Sequence, residues 1–299
     1  MSDSIAAVRR KISGAGDLHA VVRTMKALAA SSIGDYERSV TALADYDQMV
    51  SLGLGECFRQ ASARPGAAPE PARAGKPDPI DAFVFGSDQG LVGPFNDVVA
   101  DHAVAALAGL PGRARVWAVG ERVQARLKDS GLDVQGVYAV PSSVDAIAPL
   151  VARIQIDSEA HRAQAGPGRI TQVHLFHNRP LAGSLYEPIG QRLLPLDAAW
   201  QRSLASVPWP GKVRPEVLDH GSTTLRALIR EYLFISLFRA CAESLASENA
   251  SRLAAMGRAD RNIKDLLEHL HGRFHRQRQA SIDEELFDVT AGYEALANS

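Results

Sequence analysis

Proline divides the chain into three parts. All sixteen prolines lie between Pro65 and Pro215, so the first 64 residues and the last 84 contain none. A proline inside a helix removes a backbone hydrogen bond, clashes with the preceding turn and costs about 3 kcal/mol. This distribution predicts long helices at both ends of the chain and a separate domain between them.

The N-terminal part carries one helical stripe. Apolar or small side chains recur every three or four residues, as one face of an amphipathic helix requires. They are Leu18, Val22, Met25, Ala29, Ser32, Tyr36, Val40, Leu43, Tyr46 and Val50. Each helical glycine costs about 1 kcal/mol relative to alanine, so we expect a bend between Gly14 and Asp17.

The C-terminal part changes character along its length. From Leu225 to Phe238 apolar residues lie on most sides, which is typical of a buried helix. Two later apolar rows occupy single faces, and the spacing of the second predicts a two-helix seam. The rows are Ile263, Leu266, Leu267, Leu270 and Phe274, then Ile282, Leu286, Val289, Tyr293 and Leu296.

A continuous C-terminal helix would be long. About 75 residues at 1.5 Å each give a rod of about 110 Å, which the middle of the chain cannot cover. Its natural partner is the N-terminal helix, running antiparallel. Because that helix is shorter, part of the rod needs another molecule to cover it.

The middle alternates strand-like runs with helical stretches, which predicts an α/β domain with a mostly parallel sheet. The predicted strands are Ile80–Phe85, Ala114–Val119 and Ile170–His177, and the predicted helices are Ala100–Leu110, Glu121–Ser130 and Val144–Gln164. The predicted domains are an N-terminal helix (1–64), a linker rich in Pro, Ala and Gly (65–79), the α/β domain (80–215) and a C-terminal helix (216–299).

Composition narrows the class of protein. A content of 46% hydrophobic and 22% charged residues is ordinary for a soluble, well-cored chain, and a formal charge of -1 gives no general attraction to nucleic acid. The N-terminus lacks the apolar stretch of a secretory signal, so we expect a cytosolic chain. Cys57 and Cys241 lie far apart without a CxxC motif, which favours two reduced thiols.

No motif for catalysis, cofactor binding or metal binding is convincing. The glycines of FGSDQGLVGPFN (85–96) do not fit GxGxxG, and GxxxxGK[ST] is absent. His271 and His275 are four residues apart, but no HExxH glutamate accompanies them. Basic residues Arg273, Arg276 and Arg278 precede acidic Asp283, Glu284 and Glu285; this pattern fits a solvated helix or charges that meet a partner.

Five ordered motifs resemble the gamma subunit of F-type ATP synthases. They are TMKALAASS (24–32), GSDQGLVGPFN (86–96), EPIGQRLLPL (187–196), LASENASRLAAM (245–256) and RQASIDEEL (278–286). The resemblance implies a central rotor shaft: an antiparallel coiled coil of the two terminal helices, with a Rossmann-like α/β domain inserted between them. It implies no catalytic site and no cofactor, because catalysis in that family belongs to the alpha and beta subunits.

The family resemblance also implies partners and a location. Its shaft stands as one copy inside a ring of alternating alpha and beta subunits, with its foot beside the epsilon subunit and the membrane c-ring. The chain would then be peripheral, on the cytoplasmic face of the plasma membrane. By resemblance, four residues contact partners: Met25, Arg252, Gln279 and Glu285.

The segment LASENASRLAAM is poor in large apolar residues. If it turns inside a ring, small side chains such as Ala246, Ala250, Ala254 and Ala255 keep contact with the ring shallow. Asp283, where the family commonly has threonine, and Ser32, where it has lysine, indicate a divergent branch in which the transported ion could be sodium.

Two other functions fit parts of the pattern. The alternating middle is compatible with an α/β enzyme that carries helical dimerisation arms. The terminal helices alone are compatible with a coiled-coil adaptor that has no motor role.

Overall fold

The structure is a computed structural model that describes residues 4–62, 79–164, 171–181, 185–213, 215–216 and 222–297. Its helices are α1 (Ile5–Ala42), α2 (Ala44–Ser62), α3 (Phe95–Ala108), α4 (Glu121–Asp129), α5 (Ile147–Gln164), α6 (Ala198–Ser206) and α7 (Ser222–Ala297). Its strands are β1 (Ile80–Phe85), β2 (Ala114–Val119), β3 (Asp133–Tyr138), β4 (Gln172–Pro180) and β5 (Tyr186–Leu194). The chain divides into two compact units, unit 1 (Met1–Ala29 and Leu253–Ser299) and unit 2 (Ala30–Arg252).

Unit 2 is built on one five-stranded sheet in the order β3-β2-β1-β4-β5. β1 pairs in parallel with β2 and β4, β2 pairs in parallel with β3, and β5 joins β4 antiparallel. All six residues of the central strand β1 are buried, as expected for a strand covered on both faces. The prediction of a mostly parallel α/β domain is therefore confirmed.

The two faces of the sheet carry separate apolar cores, because successive side chains of a strand point to opposite faces. On one face Ala82 and Val84 pack with residues of α3 and α4. On the other, Phe83 and Phe85 pack with α5 and with the first half of α7. Unit 2 is thus a three-layer arrangement in which α7 supplies part of an outer layer.

The sequence located the central strands but not the edges of the sheet. β1 and β2 have the predicted bounds; β4 begins at Gln172, two residues after a predicted start that lies outside the described residues, and ends at Pro180. β3, β5 and α6 were not predicted. β5 contains Pro188 and Gly190, which are unfavourable in strand interiors but tolerated in an edge strand.

α2 and α6 form a smaller apolar cluster with the start of α7. Val50, Leu54 and Phe58 pack there with Trp200 and other side chains. The approach of α6 to α2 is close: a Cβ on Gly55 would lie 2.5 Å from the carbonyl oxygen of Leu204. Only glycine permits this contact without displacing the backbone.

α1 is not interrupted at the bend expected between Gly14 and Asp17; the helix ends instead at Ala42, just before Leu43. Gly14 and Gly16 are exposed, and a Cβ on either would meet no atom within 4 Å. The glycines therefore lie away from the packed face, which holds this helix together despite their low propensity.

Unit 1 is an antiparallel seam of two helices. Near the start of α1, Val8, Ile12 and Ala15 pack with Leu270 and Phe274 of α7. Further along α1, contacts are made with residues nearer the start of α7, and the members of this cluster are Val22, Met25, Met256, Ile263 and Leu267. The predicted antiparallel coiled coil is confirmed in this segment.

The seam predicted for the last row of α7 is wrong within the described residues. Ile282, Leu286 and Val289 are 52%, 64% and 71% exposed. α1 begins at Ile5, and its first buried residue, Val8, already packs with Leu270 and Phe274. α1 is therefore too short to cover residues 282–289. The side chains of Tyr293 and Leu296 lie outside the described set.

α7 is a single helix of 76 residues. Together with α1 and the inserted sheet domain, it confirms the predicted fold class: a Rossmann-like α/β domain between two terminal helices that form a coiled coil. Of the predicted linker only Pro79 falls among the described residues. The predicted bounds of the four domains remain a prediction.

Candidate functional site

The most highly organised polar region of unit 2 is the segment of α7 from Glu243 to Arg252. It lies at the carboxyl ends of the parallel strands. We call the segment, with the strand ends and loops it contacts, the α7 anchor. It includes the motif at residues 86–96 and the first eight residues of the motif at 245–256, and brings them together.

The loop that follows β1 is fixed by its own side chains. The Asn96 side chain accepts a hydrogen bond from the Ser87 backbone N–H at 2.9 Å and donates one to Ser87 Oγ at 2.8 Å. Gly93 has a φ of 60°, in the left-handed region that favours glycine. These hydrogen bonds and the left-handed Gly93 set the conformation of the loop.

Asp88 ties the same loop to two neighbouring segments. Its carboxylate accepts a hydrogen bond from the backbone N–H of Glu121, the first residue of α4, at 3.0 Å. The other oxygen accepts from the backbone N–H of Val140, just after β3, at 2.9 Å. A carboxylate at the start of a helix is favoured by the helix dipole. Asp88 is thus a structural acceptor at the carboxyl edge of β1, β2 and β3.

α7 is attached to this edge by two serines one helical turn apart. Ser247 Oγ donates a hydrogen bond to the Asn178 carbonyl oxygen at 3.1 Å, at the end of β4. Ser251 Oγ donates to the Val92 carbonyl oxygen at 2.5 Å, in the loop after β1. Residues at i and i+4 lie on one face of a helix, so these two bonds place α7 between the ends of β1 and β4.

A third contact lies one turn before the serines. His177 Nε2 and Glu243 Oε2 are 2.7 Å apart, and the two side chains are 6% and 13% exposed. Asn178 then donates its Nδ2–H to the carbonyl oxygen of Phe95, the first residue of α3. The end of β4 therefore links α7 to both α3 and the sheet.

The position of the α7 anchor decides what the sheet can bind. In open α/β sheets, ligands bind in the crevice outside the carboxyl ends of the strands, where the strand order reverses. In this sheet the order reverses between β1 and β4. Ser247 and Ser251 place α7 across that point, so protein occupies the crevice that a nucleotide would need.

The small residues of the α7 anchor have an intramolecular cause. Ala246 and Ala250 are 1% and 8% exposed, and Ser247 is fully buried. Ala246 belongs to the apolar core of unit 2 that also contains Phe83 and Phe85. Our interpretation of Ala246 and Ala250 as a shallow contact with a surrounding ring is therefore wrong. Ala254 and Ala255, which are half-buried, belong to unit 1.

Arg252 is mostly covered by its own chain. Its guanidinium lies 2.5 Å from Glu248 Oε1, one turn earlier, and the two side chains are 13% and 7% exposed. Burial raises the pKa of Glu248 above its usual range, although the Arg252 charge and hydrogen bond oppose that rise. The pair lines an open cleft of about 220 Å³ with Tyr36, Asp88 and other polar residues.

The other predicted contact residues belong to unit 1. Met25 is half-buried in the seam beside Met256 and Ile263. Gln279 and Glu285 are exposed on the last part of α7. The described structure therefore does not bring Gln279 or Glu285 together with Arg252. The role of these three residues and Met25 as partner contacts remains a prediction.

The last part of α7 combines exposed apolar and charged residues. Arg276, Arg278, Asp283 and Glu284 are exposed beside the apolar side chains of residues 282–289. We call residues 276–291 of α7 the exposed tip. An exposed apolar row of this kind is a candidate surface for contact with another protein.

The seam of unit 1 contains a polar cluster that the sequence did not reveal. Asp260 is 7% exposed, and its Oδ1 lies 2.8 Å from His19 Nε2. Lys264 Nζ donates to the other oxygen at 3.2 Å. The hydrogen bonds from His19 and Lys264 lower the pKa of Asp260. A seven-residue count along each helix could have placed His19 and Asp260 in the seam, but not opposite each other.

Within the part of the chain that the structure describes, no group of three or more His, Cys, Asp or Glu side chains is placed to hold a metal ion. His271 and His275, four residues apart on α7, are both exposed. A search of the same residues finds no helix long and apolar enough to cross a membrane.

Three comparisons describe what the chain is similar to. A family model described as ATP synthase matches residues 4–296. The ATP synthase gamma chain of Anaeromyxobacter sp. (strain Fw109-5) is 25% identical over 308 residues, covering 98% of this chain and 99% of that protein. The ATP synthase gamma chain of Frankia casuarinae is 26% identical over 316 residues, with 100% and 99% coverage.

A solved structure has the same fold. A chain in the cryo-EM structure of the Euglena gracilis mitochondrial ATP synthase, OSCP/F1/c-ring, rotational state 3, aligns with a TM-score of 0.62 at 15% identity. The alignment covers 98% of this chain and 94% of that one. The likeness therefore extends to the terminal helices and is not limited to the α/β domain.

The raised pKa of Glu248 predicts a pH effect on stability. In the unfolded chain this carboxyl loses its proton near its ordinary value of 4.5, whereas the folded chain retains the proton to higher pH. The stability contributed by the protonated form is therefore complete below 4.5 and is lost as pH rises through the folded pKa. As the pH rises through the folded pKa, we expect the free energy of unfolding of the wild type to fall relative to that of Glu248→Gln.

The measurement is urea unfolding of both chains at several values between pH 4 and pH 8. Glu284→Gln is the control, because it makes the same chemical change on an exposed part of α7. A constant difference between wild type and Glu248→Gln across the range would show that burial does not raise the pKa of Glu248.

Proposed function

Because this chain belongs to the ATP synthase gamma-chain family, we propose that it couples ion translocation through the membrane sector to ATP synthesis or hydrolysis at alpha–beta interfaces. The chain is the central stalk of an F-type ATP synthase, in its peripheral F1 part, and it has no catalytic site of its own. Its partners are other subunits of that assembly. The proposal concerns how the stalk acts and which subunits it touches.

One observation carries this function: α7 is a single helix that is embedded in the α/β domain at one end and exposed at the other. Ser247, Ser251 and the His177–Glu243 pair attach it to the sheet. The helix has no interruption between the α7 anchor and the exposed tip, and we propose that rotation reaches the tip through its backbone. A shaft requires this continuity.

The exposed tip is the part of the chain best suited to turn inside a ring of alpha and beta subunits. Its row of apolar side chains lacks cover from the described part of the chain, and its basic and acidic residues provide charges for fixed groups on a ring. We assign Gln279 and Glu285 to this contact, and Met25 to a contact from the half-buried side of the seam. These assignments rest on the family resemblance and on exposure.

The remaining partners are proposed at the level of the family. We place the epsilon subunit and the c-ring beside the α/β domain, with one copy of this chain in each complex. The complex then lies on the cytoplasmic face of the plasma membrane. Proton and sodium ion remain alternatives for the transported ion, because the ion sites belong to other subunits.

The alternative of an α/β enzyme is not favoured by the site. The crevice at the carboxyl edge of the sheet, where such an enzyme would bind substrate, is filled by α7. A coiled-coil adaptor would need neither the deep attachment of α7 nor a family match over residues 4–296.

Coexpression with the alpha and beta subunits from the same genome tests the proposed role. We expect an ATPase in which one copy of this chain accompanies three alpha and three beta subunits, because a single shaft serves the whole ring. Native mass spectrometry gives the stoichiometry. Three copies of this chain per complex, or a complex whose ATP turnover is the same without it, would contradict the role of a single shaft.

Arg252 needs two variants, because it neutralises Glu248 as well as being a candidate partner contact. Arg252→Ala leaves a buried carboxylate without its ion pair, which is destabilising by itself. The double variant Arg252→Ala with Glu248→Gln removes that charge. We expect ATP turnover of the assembled complex to fall at least several-fold in both variants, with the helix content of the isolated chain unchanged.

The control for Arg252 is Arg153→Ala, which removes an exposed arginine of α5. Wild-type turnover is expected for this control. Full recovery of turnover in the double variant would mean that Arg252 acts only on Glu248, and it would remove Arg252 from the set of partner contacts.

A further inference from the structure

The seam of unit 1 repeats every seven residues on both helices. On α1 the buried row is Val8, Ala15, Val22 and Ala29, and on α7 it is Met256, Ile263 and Leu270. A seven-residue repeat of apolar positions is the pattern by which two helices keep one face in contact. Because every repeat presents a similar surface, the apolar contacts by themselves distinguish weakly between pairings that differ by seven residues.

A second row beside the first breaks this repetition. On α1 it runs Ile12, His19, Lys26, and on α7 it runs Leu253, Asp260, Leu267, Phe274, again at intervals of seven. Asp260 is the single carboxylate among these apolar positions of α7, and it is 7% exposed. Burying a charged group is costly unless it is paired, so its position needs an explanation.

The two helices supply complementary charges at this one level. Asp260 lies 2.8 Å from His19 and 3.7 Å from Lys26, both on α1, and Lys264 on α7 covers its other oxygen. Within the described residues these are the ionisable groups paired with Asp260. The hydrogen bonds from His19 and Lys264 lower the pKa of Asp260, which keeps it charged.

Any slip of seven residues breaks the contact. In one direction Asp260 would face Ile12 and His19 would face Leu253. In the other direction Asp260 would keep a cation, Lys26, but His19 would face Leu267. Pairing α7 with a second α7 would bring two buried Asp260 carboxylates together, and pairing α1 with a second α1 would bring histidine and lysine together. An α7–α7 pair would keep Lys264 beside each Asp260 but would lose the contacts from His19 and Lys26, and an α1–α1 pair would lose the carboxylate.

We propose that Asp260, through His19 and Lys26, is the specificity-determining residue of the seam: it selects α1 as the partner of α7 and fixes the register between them. A single polar residue at a seam position is known to specify register and partner at some expense of stability. The proposal concerns the folded chain itself and does not depend on its role as a rotor shaft.

The test replaces the charge by an apolar side chain. In Asp260→Leu both rows of α7 are apolar, and His19 and Lys26 of α1 lose the carboxylate that pairs with them in the native register, so we expect a second register or a much broader set of registers. Spin labels at Ser13→Cys and Glu284→Cys, both exposed positions far apart along unit 1, report the register by pulsed electron-electron distance measurement on the full chain. A slip of seven residues moves one label by about 10 Å along the axis. The natural Cys57 and Cys241 are buried, which directs labelling to the introduced sites.

Three further variants make the result decisive. The double variant His19→Leu with Asp260→Leu removes both members of the hydrogen-bonded pair and is expected to behave as Asp260→Leu does, which covers the case in which the single variant does not fold. Asp260→Asn keeps an acceptor for His19 and is expected to keep the wild-type distance. Asp265→Leu, at an exposed position of the same helix, is the matched control and is also expected to keep it.

The distance distribution separates register selection from a merely structural role. A second or broadened distance in Asp260→Leu, or in the double variant, supports the proposal whatever the thermal midpoint does. A single distance identical to the wild type in both variants would overturn it, because the apolar rows would then fix the register without Asp260. The measurement uses the isolated chain, so its outcome is separate from that of the coexpression experiment.

Discussion

The attachment of α7 to the carboxyl edge of the sheet is the contact on which the rest of the structure depends. Two serine hydroxyls reach backbone carbonyls at the ends of β4 and in the loop after β1, and a buried His177–Glu243 pair lies one turn away. The residues beside these bonds include Ala246 and Ala250, whose small side chains are buried. Without these bonds α7 would still pack through its apolar first half, but nothing would fix it across the ends of β1 and β4.

Along its length α7 therefore packs in three different surroundings. Its first half supplies large apolar residues, among them Leu233 and Leu237, to the core of unit 2. The α7 anchor follows with small and polar residues. In unit 1, α7 then presents two apolar rows that repeat every seven residues, and Asp260 occupies one position of the second row. The exposed tip ends the described helix with apolar side chains open to solvent. Each change of composition follows what the helix contacts.

The sequence predicted the fold well where local patterns decide it. Apolar runs placed β1 and β2 at their observed bounds, and the absence of proline identified the two terminal helices. Edge strands were missed because β3 contains Gln135 and Gly136 and β5 contains Pro188 and Gly190, residues with low strand preference. The N-terminal helices break at Leu43, where the backbone N–H bonds to the Val40 carbonyl oxygen, rather than near Gly14, and no local pattern indicated this position.

The candidate site was harder to predict, since a sequence shows which faces are apolar but not which protein covers them. Ala246 and Ala250 were assigned to a partner, and their own chain covers them. Ile282 and Leu286 were assigned to a seam with another helix, and the described chain leaves them exposed. Pairs distant in sequence, such as His19 with Asp260 or Ser251 with Val92, required the three-dimensional structure.

Hydrogen–deuterium exchange along α7 in the isolated chain tests the central claim most directly. Backbone amides exchange slowly where opening needs the whole domain to unfold and quickly where a helix is held only by its own hydrogen bonds. The account predicts slow exchange over residues 243–252, in the α7 anchor, and fast exchange over residues 282–291, in the exposed tip. Exchange as fast in the anchor as in the tip would contradict the claim that α7 is fixed to the sheet at this edge.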